Sequence, residues 1–203
     1  MTQTIRKTQK ERREESTERL LKACLKLAAS EGVSAITFDR LGKEAGYSRN
    51  LAFHKFGSKT ALIEQVVAFC HRDAARARDR VNFDQLSGIE AIHAYGMANF
   101  TAQPDFNAMT AYSVLLSAAI SEFSEALPIF KASHEEAKAQ LIALVERGIA
   151  DGSIRDDIDP ESTAMLIGSQ LLGLASQAIV DPSLDLEQIE TLFRCSLDRL
   201  LPS

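Results

Sequence analysis

Apolar residues recur along most of this chain at the three- and four-residue spacing of an amphipathic helix. No segment of useful length alternates apolar and polar residues as a half-buried strand would. Glycines, prolines and capping residues interrupt the helical pattern and mark where single helices begin and end. The pattern therefore predicts an all-α protein.

The amino-terminal third of the chain predicts an arm followed by four helices. Residues 1–15 are polar and charged without apolar periodicity, so we expect a flexible basic arm there. A first helix ends near Gly32, and a short second helix begins at Thr37, whose side-chain oxygen can serve as its N-cap. After a glycine turn, Ser48 caps a second short helix and Ser58 caps a longer one. Two short helices joined by a tight turn have the spacing of a helix-turn-helix.

The rest of the chain predicts five more helices and no internal repeat. Asp159 followed by Pro160 is a strong helix start, and Asp185 with Gln188 resembles a capping box. The predicted helices cover approximately residues 88–102, 106–123, 128–150, 160–180 and 185–201.

Charge is distributed unevenly between the two ends of the chain. Residues 1–60 contain 13 Lys and Arg against 7 Asp and Glu, a net charge of +6, whereas the remainder carries −11. A basic head on an acidic body is expected when only the head meets a polyanion. A charged face that is merely solvated remains the alternative.

The composition is that of an ordinary globular protein and indicates no cofactor. No apolar run approaches the ~20 residues that span a bilayer, and the first fifteen residues lack a signal-peptide core, so we expect a cytoplasmic protein. The three cysteines form no CxxC pair and the four histidines lack ligand spacing, so no metal site is predicted. No catalytic order of Ser, His and Asp is present, and we expect no enzyme.

The predicted helix-turn-helix concentrates cations and hydrogen-bonding side chains from its turn onward. Phosphates need cations and N–H donors, and base edges need bidentate groups such as Arg and Asn. The side chains expected to be exposed here are Ser48, Arg49, Asn50, His54, Lys55, Ser58 and Lys59.

Residues 19–67 resemble the DNA-binding domain of the TetR family of regulators. The motif elements are Gly32, Thr37, Ala45-Gly46-Tyr47-Ser48, Phe53, Lys55-Phe56 and Ser58-Lys59. The resemblance implies DNA contacts by Thr37, Arg49, Asn50, His54, Lys55 and Lys59, with Phe53 packing on the sugar-phosphate backbone. Phe53 replaces the usual Tyr and removes one hydroxyl that typically touches phosphate, and Gly57 replaces the common Pro.

Residues 146–182 resemble a subgroup of that family, which includes the choline-responsive repressor of betaine synthesis. The shared order is a glycine turn, an acidic loop, a helix start and a helix of small residues. We transfer no ligand from this resemblance, because an aromatic cage for a quaternary ammonium is not evident and the chain has no Trp.

The helices predicted over 88–102, 106–123 and 128–150 are where we expect an effector pocket. Aromatic, Met and polar residues cluster there, although for each one taken singly an ordinary core position is the better interpretation. The candidate lining residues are His93, Met97, Phe100, Met109, Tyr112 and Ser113.

The helix over 161–180 is apolar or small nearly all round, so a second face needs a partner. With the last helix it predicts an intersubunit four-helix bundle, the alternative being a helix buried centrally in a monomer. The predicted dimer residues are Ala164, Gly168, Leu171, Leu172, Ala175, Ile189, Phe193 and Leu197.

Together these features predict a homodimeric, ligand-responsive transcription repressor that binds a palindromic operator. Its parts would be the arm at 1–15, a helix-turn-helix domain at 16–60 and a helical ligand-binding and dimerisation domain at 61–203. The alternatives are an activator or global DNA-binding regulator of the same fold, and a helical small-molecule enzyme or carrier. The basic head favours a DNA-binding protein, because an enzyme has no need of it.

Overall fold

The computed structural model describes residues 8–78, 82–101, 107–181 and 183–202, and within them every regular element is helical. Three one-turn 3-10 segments, Val33–Ala35, Phe83–Gln85 and Ser124–Ala126, join longer helices. The all-α prediction is confirmed. In chain order the helices are α1 (Gln9–Glu31), α2 (Phe38–Ala45), α3 (Arg49–Phe56), α4 (Lys59–Arg78), α5 (Gly88–Thr101), α6 (Asn107–Ser121), α7 (Leu127–Asp151), α8 (Pro160–Val180) and α9 (Leu186–Leu200).

Helix α1 begins within the segment that the sequence predicts as a flexible arm. The Thr8 hydroxyl accepts a hydrogen bond of 3.2 Å from the Glu11 N–H, and the Glu11 carboxylate accepts one of 2.6 Å from the Thr8 N–H. This capping box satisfies two N–H groups that a helix start leaves unpaired. The arm prediction is therefore wrong for residues 8–15, while residues 1–7 lie outside the described residues.

Local capping fixes the ends of the two short helices of the helix-turn-helix. The Thr37 hydroxyl accepts from the Arg40 N–H at 3.3 Å, and the Ser48 hydroxyl accepts from the Leu51 N–H at 3.2 Å. Between them Gly46 adopts the left-handed region at φ 76°, as expected of a residue without a Cβ. The predicted caps at Thr37 and Ser48 are confirmed, as is the capping box of Asp185 and Gln188.

One hydrophobic core joins the head of the molecule to its body. It contains Leu20 and Cys24 of α1, Leu41 of α2 and Leu62 of α4, and it continues into Leu115 of α6. A second core lies among α5, α7, α8 and α9. The boundary predicted between residues 60 and 61 thus runs through shared packing, and the division into two domains stays a prediction.

Within the described part of the chain, α8 is the one helix that is long and apolar enough to cross a membrane, judged by length and composition alone. Its mean hydropathy is 1.4 over its most apolar window. The bent pair of α6 and α7, with an angle of 116°, would pass the same test if counted as one span. In this fold α8 packs against α6, α7 and α9. A helix that packs on three others is equally typical of a globular core.

Candidate functional site

Helix α3 presents a polar face to solvent because two apolar residues anchor its other side. Ala52 and Phe56 are buried in the shared core, which turns Arg49, Asn50 and His54 outward. These three predicted DNA-contacting residues are exposed, and so is the N-cap residue Ser48. The face therefore offers a guanidinium and an amide on its first turn, the groups that read base edges in a major groove, and an imidazole on the next turn.

Phe53 lies between the exposed face of α3 and the start of α2. Its ring meets Phe38 edge to face, with the ring centroids 5.3 Å apart, and half of the residue stays exposed. The open half is a flat apolar surface beside Arg49 and Asn50. The geometry is compatible with the packing against a sugar-phosphate backbone that the resemblance implies, and that contact stays a prediction.

A groove on one side of α3 brings together Thr37, Arg49 and Lys59, with a cavity volume of about 350 Å³. The Lys59 ammonium, however, turns towards the protein. It donates a hydrogen bond of 2.7 Å to the Val33 carbonyl oxygen and lies 5.9 Å from the centroid of the Phe123 ring. Lys59 thus holds the head to the body in this structure, and its contact with DNA stays a prediction.

A second groove, on the other side of α3, contains cations that the sequence analysis missed. Arg12 and Arg13 of α1 line it together with His54 and Lys55, around a volume of about 580 Å³. The sequence analysis assigned the two arginines to a flexible arm, although a helix continuing back from Leu20 would have placed them beside α3.

Lys55 is tied to α1 rather than extended into solvent. Its ammonium donates to the Arg13 carbonyl oxygen at 2.9 Å and to the Thr17 hydroxyl at 2.7 Å. Burial lowers the pKa of the Lys55 ammonium, and the nearby Arg13 charge lowers it further. Lys55 therefore fixes the angle between α1 and α3, and a direct phosphate contact would require these hydrogen bonds to break.

The body contains a mainly apolar cavity of about 320 Å³. Four of the six predicted lining residues, Phe100, Met109, Tyr112 and Ser113, face it. The prediction is wrong for the other two. His93 lies against α9, with its Nε2 atom 3.5 Å from the Asp198 carboxylate, and Met97 packs with Ala175 and Ile189 in a small separate cluster.

Much of the cavity wall comes from helices that the sequence analysis did not include. Helix α4 contributes its second half and α8 its middle, because α4 packs on α5 and α6 while α8 packs on α6 and α7. Sequence periodicity carries no signal for which buried face meets an empty space. The additional lining residues include Cys70, His71 and Ala74 of α4, His134, Lys138 and Leu141 of α7, and Met165 and Ser169 of α8.

All eight predicted dimer residues lie on inward faces of α8 and α9. Ala164, Gly168, Leu171, Leu172 and Ala175 line the cavity. Ile189, Phe193 and Leu197 are almost completely buried within a single chain. The Phe193 ring lies over Gly96, where an added Cβ would come within 2.2 Å of the ring. Ile189, Phe193 and Leu197 therefore have no free face for a partner, whereas Gly168, Leu171 and Leu172 are half-buried, and their place in a dimer stays a prediction.

The outward apolar surface of α8 and α9 is formed by other residues. Met165, Leu166 and Val180 are 64%, 66% and 81% exposed on α8, and Leu192 is half exposed on α9. Gly173 and Ser176 lie on the same side of α8 and are also exposed. A continuous apolar and small-residue strip remains available for a partner.

Helix α6 connects the cavity to the core of the head. Met109 and Tyr112 line the cavity, while Ala111 and Leu115 on the opposite side pack in the core that contains α1 and α4. Helix α4 has the same double role, with His71 at the cavity and Leu62 in the shared core. A change in the shape of the cavity can therefore reach the helix-turn-helix through direct packing contacts.

Comparison with known proteins identifies the head of the chain. Residues 20–66 match the family model described as bacterial regulatory proteins, tetR family. No curated protein sequence matches the chain at a significant level.

Solved structures share the fold over nearly the whole chain. A putative TetR-family transcriptional regulator from Rhodococcus sp. has a TM-score of 0.82 at 17% identity, covering 93% of this chain and 99% of that one. NalD from Pseudomonas aeruginosa, the secondary repressor of a multidrug efflux pump, has a TM-score of 0.70 at 16% identity, with coverages of 93% and 98%. A putative regulator from Saccharomonospora viridis in complex with choline has a TM-score of 0.75 at 14% identity, with coverages of 94% and 99%.

Proposed function

We propose that this chain, which belongs to the tetR family of bacterial regulatory proteins through its residues 20–66, is a cytoplasmic transcription repressor. It binds a palindromic operator as a homodimer, and a small molecule in the cavity of the body releases it from DNA. The observation that carries the proposal is the double role of α6, whose Tyr112 lines the cavity while its Leu115 packs in the core of the head.

The DNA-binding part of the proposal rests on α3 and the two grooves beside it. Arg49, Asn50 and His54 point outward from α3, and Arg12 and Arg13 flank them with positive charge. The cations of α2, by contrast, are neutralised, since Arg40 pairs with Glu31 and Lys43 with Asp39. Cations that form no ion pair with the other described residues, placed around an exposed amide and guanidinium, suit phosphate positioning and base readout.

The effector response requires that the ligand prefer one arrangement of the two heads. A ligand with equal affinity for both arrangements would shift nothing. Filling the cavity moves or stiffens α4 and α6, and the Lys59 contact ties the start of α4 to Val33 beside α2. A tenfold loss of operator affinity corresponds to about 1.4 kcal/mol of coupling, and DNA must weaken effector binding by the same factor.

We do not assign choline as the effector of this cavity. A quaternary ammonium needs an aromatic cage or a carboxylate close to its charge. Among the described lining residues, Glu135 carries the carboxylate, and this residue is exposed. The aromatic rings are those of Tyr95, Phe100 and Tyr112, and the chain contains no Trp. The choline complex of the Saccharomonospora viridis protein is therefore not carried over.

The DNA-binding claim is tested by selecting genomic fragments with the protein and measuring affinity by fluorescence anisotropy. Arg49→Ala should reduce the preference for selected over scrambled fragments by about 1–3 kcal/mol, because one bidentate base contact is lost. The matched control is Arg40→Ala on α2, whose guanidinium already pairs with Glu31 and which should change that preference little. Equal binding of selected and scrambled DNA by the unaltered protein would refute the proposal.

A further inference from the structure

The wall of the cavity is apolar along most of its depth. Phe100, Leu141, Leu171 and Ala175 line it from three helices. Its volume of about 320 Å³ is at the lower end of the range for small-molecule sites. The wall therefore suits a compact molecule with a large apolar part.

Among the described residues of the wall, one buried polar atom lacks a hydrogen-bond partner, while polar groups next to it are hydrogen-bonded. Ser133 is buried and shares hydrogen bonds with the His71 imidazole and with the Tyr112 hydroxyl, the latter at 3.3 Å. His134, the next residue of α7, also lines the cavity, but its buried Nε2 atom has no hydrogen-bond partner. An unsatisfied buried polar atom costs about 1–3 kcal/mol, and an imidazole turns readily about its χ2 bond. A ligand with a hydrogen-bonding group can therefore relieve this cost.

Formal charges lie at the rim of the cavity and not along its wall. Among its described lining residues, Glu135 and Lys138 are the two with a charged carboxylate, ammonium or guanidinium group. Glu135 is exposed, and the Lys138 ammonium lies 3.5 Å from the Glu161 carboxylate at the start of α8. Burial lowers the pKa of the His134 imidazole, which keeps that ring neutral near pH 7. A ligand charge inside the cavity would thus be desolvated without an opposite charge, which is costly.

We infer that the cavity binds an uncharged, mainly apolar molecule with a hydroxyl or carbonyl oxygen that hydrogen-bonds to the His134 imidazole. This inference rests on the proposed function, because it specifies the effector of the same cavity. The apolar wall supplies most of the affinity through burial, and His134 supplies the preference among molecules of equal size.

Four naphthalene derivatives of similar shape test the charge and the hydrogen bond separately. The probes are naphthalene, 2-naphthol, 2-naphthoate and 2-naphthylmethylammonium, titrated into the full-length protein without DNA and followed by their fluorescence. We expect 2-naphthol to bind about three- to tenfold more tightly than naphthalene, the factor of one net hydrogen bond. The anion and the cation should bind more weakly than 2-naphthol.

Three variants assign the preference to His134. His134→Phe should abolish the advantage of 2-naphthol over naphthalene, and His134→Gln, which restores a hydrogen-bonding group, should recover part of it. His93→Phe is the matched control, since His93 is also a buried histidine whose Nε2 has no hydrogen-bond partner, although the Asp198 carboxylate lies 3.5 Å away. His93 lies outside the cavity, so this change should leave all four affinities unchanged. Circular dichroism confirms folding, and the Gln variant decides the question if the Phe variant does not fold.

The inference is overturned if 2-naphthoate or 2-naphthylmethylammonium binds as tightly as 2-naphthol, if no probe binds, or if the preference is unaffected in the folded His134 variants. Operator affinity measured separately distinguishes this failure from failure of the proposed function. Specific DNA binding without the expected probe preference contradicts the inference alone. Probe binding with the expected preference in a protein that never prefers any DNA contradicts the proposed function alone.

Discussion

The Lys59 ammonium donates a hydrogen bond of 2.7 Å to the Val33 carbonyl oxygen, and so joins the first residue of α4 to the 3-10 turn that precedes α2. The Phe123 ring, two residues beyond the end of α6, lies 5.9 Å from the same ammonium. Three segments of the head and the body therefore meet at one cation. Such a contact is placed to transmit a movement of α4 or α6 to the helix-turn-helix.

Lys59→Ala should lower the free energy of unfolding by about 1.5–3 kcal/mol, the usual contribution of a hydrogen bond to a charged group. Urea denaturation followed by circular dichroism measures the change. Lys43→Ala is the matched control, because Lys43 is an exposed cation paired with Asp39 on α2 and should change stability by less than about 1 kcal/mol. If Lys59→Ala reduced DNA affinity with no loss of stability, the side chain would be a phosphate ligand and not a junction residue.

Gly57→Pro should destabilise the protein although proline is the common family residue at this position. Gly57 has φ 70°, and its N–H donates to the Phe53 carbonyl oxygen at 2.7 Å. Proline fixes φ near −65° and has no N–H, so the change should cost about 3 kcal/mol or more. Thermal unfolding gives the measurement, with Gly57→Ala expected to cost about 1–2 kcal/mol from the left-handed backbone alone.

Gly173→Ala provides the control for this pair of changes. Gly173 is an exposed helical residue with open space around it, so alanine should stabilise α8 by up to about 1 kcal/mol. A Gly57→Pro protein as stable as the unaltered one would show that the turn after α3 adopts another conformation.

Leu166→Glu should convert the proposed dimer into monomers. Leu166 is 66% exposed in the first half of the outward strip of α8, where a carboxylate would be buried against the partner in the proposed dimer. Ile120→Glu is the control, since Ile120 is 69% exposed on α6, away from this strip. Light scattering at micromolar concentration measures the mass. A monomeric unaltered protein would exclude the dimer. A dimer that survives Leu166→Glu but dissociates with Ile120→Glu would place the interface elsewhere.

Stability should fall as the pH decreases below about 6.5, the ordinary histidine value. Burial lowers the pKa of His134, against the opposing effect of Glu135, and burial together with Arg194 lowers that of His93. The unfolded chain therefore binds protons at these residues before the folded one does, so the stability of the folded state is full above the unfolded pKa and decreases towards the folded pKa.

The variant His134→Phe separates this effect from the titration of carboxylates. The pKa values of Asp151 and Asp159 are lowered, first of all by their hydrogen bonds with Ser153 and Ser162, so their contribution is lost only at more acidic pH. Urea denaturation of the unaltered protein and of His134→Phe between about pH 7.5 and 5 covers the histidine titration. The free energy of unfolding should change less steeply with pH in the variant. An identical slope would mean that His134 titrates normally.

The helices and their ends were predictable because their signals are local. Thr37, Ser48, Asp159 and Asp185 each cap a helix through the N–H of a residue three positions later, which a sequence displays directly. The outward face of α3 was also predictable, since its anchors Ala52 and Phe56 lie on the same helix. The match of residues 20–66 to a family model agrees with that local pattern.

Which apolar residues face a cavity, the same chain's core or a partner was decided by tertiary packing. Phe193 and Gly168 have the apolar or small character expected at an interface, yet Phe193 fills the space above Gly96 and Gly168 lines the cavity. Arg12 and Lys55 likewise lie in one groove because α1 begins at Gln9 and its first turns pack beside α3. The sequence alone determines which residues are capped, buried or charged, because those properties depend on neighbours a few positions away. The partner of each buried face depends on contacts between residues far apart in the chain, and only the folded structure specifies them.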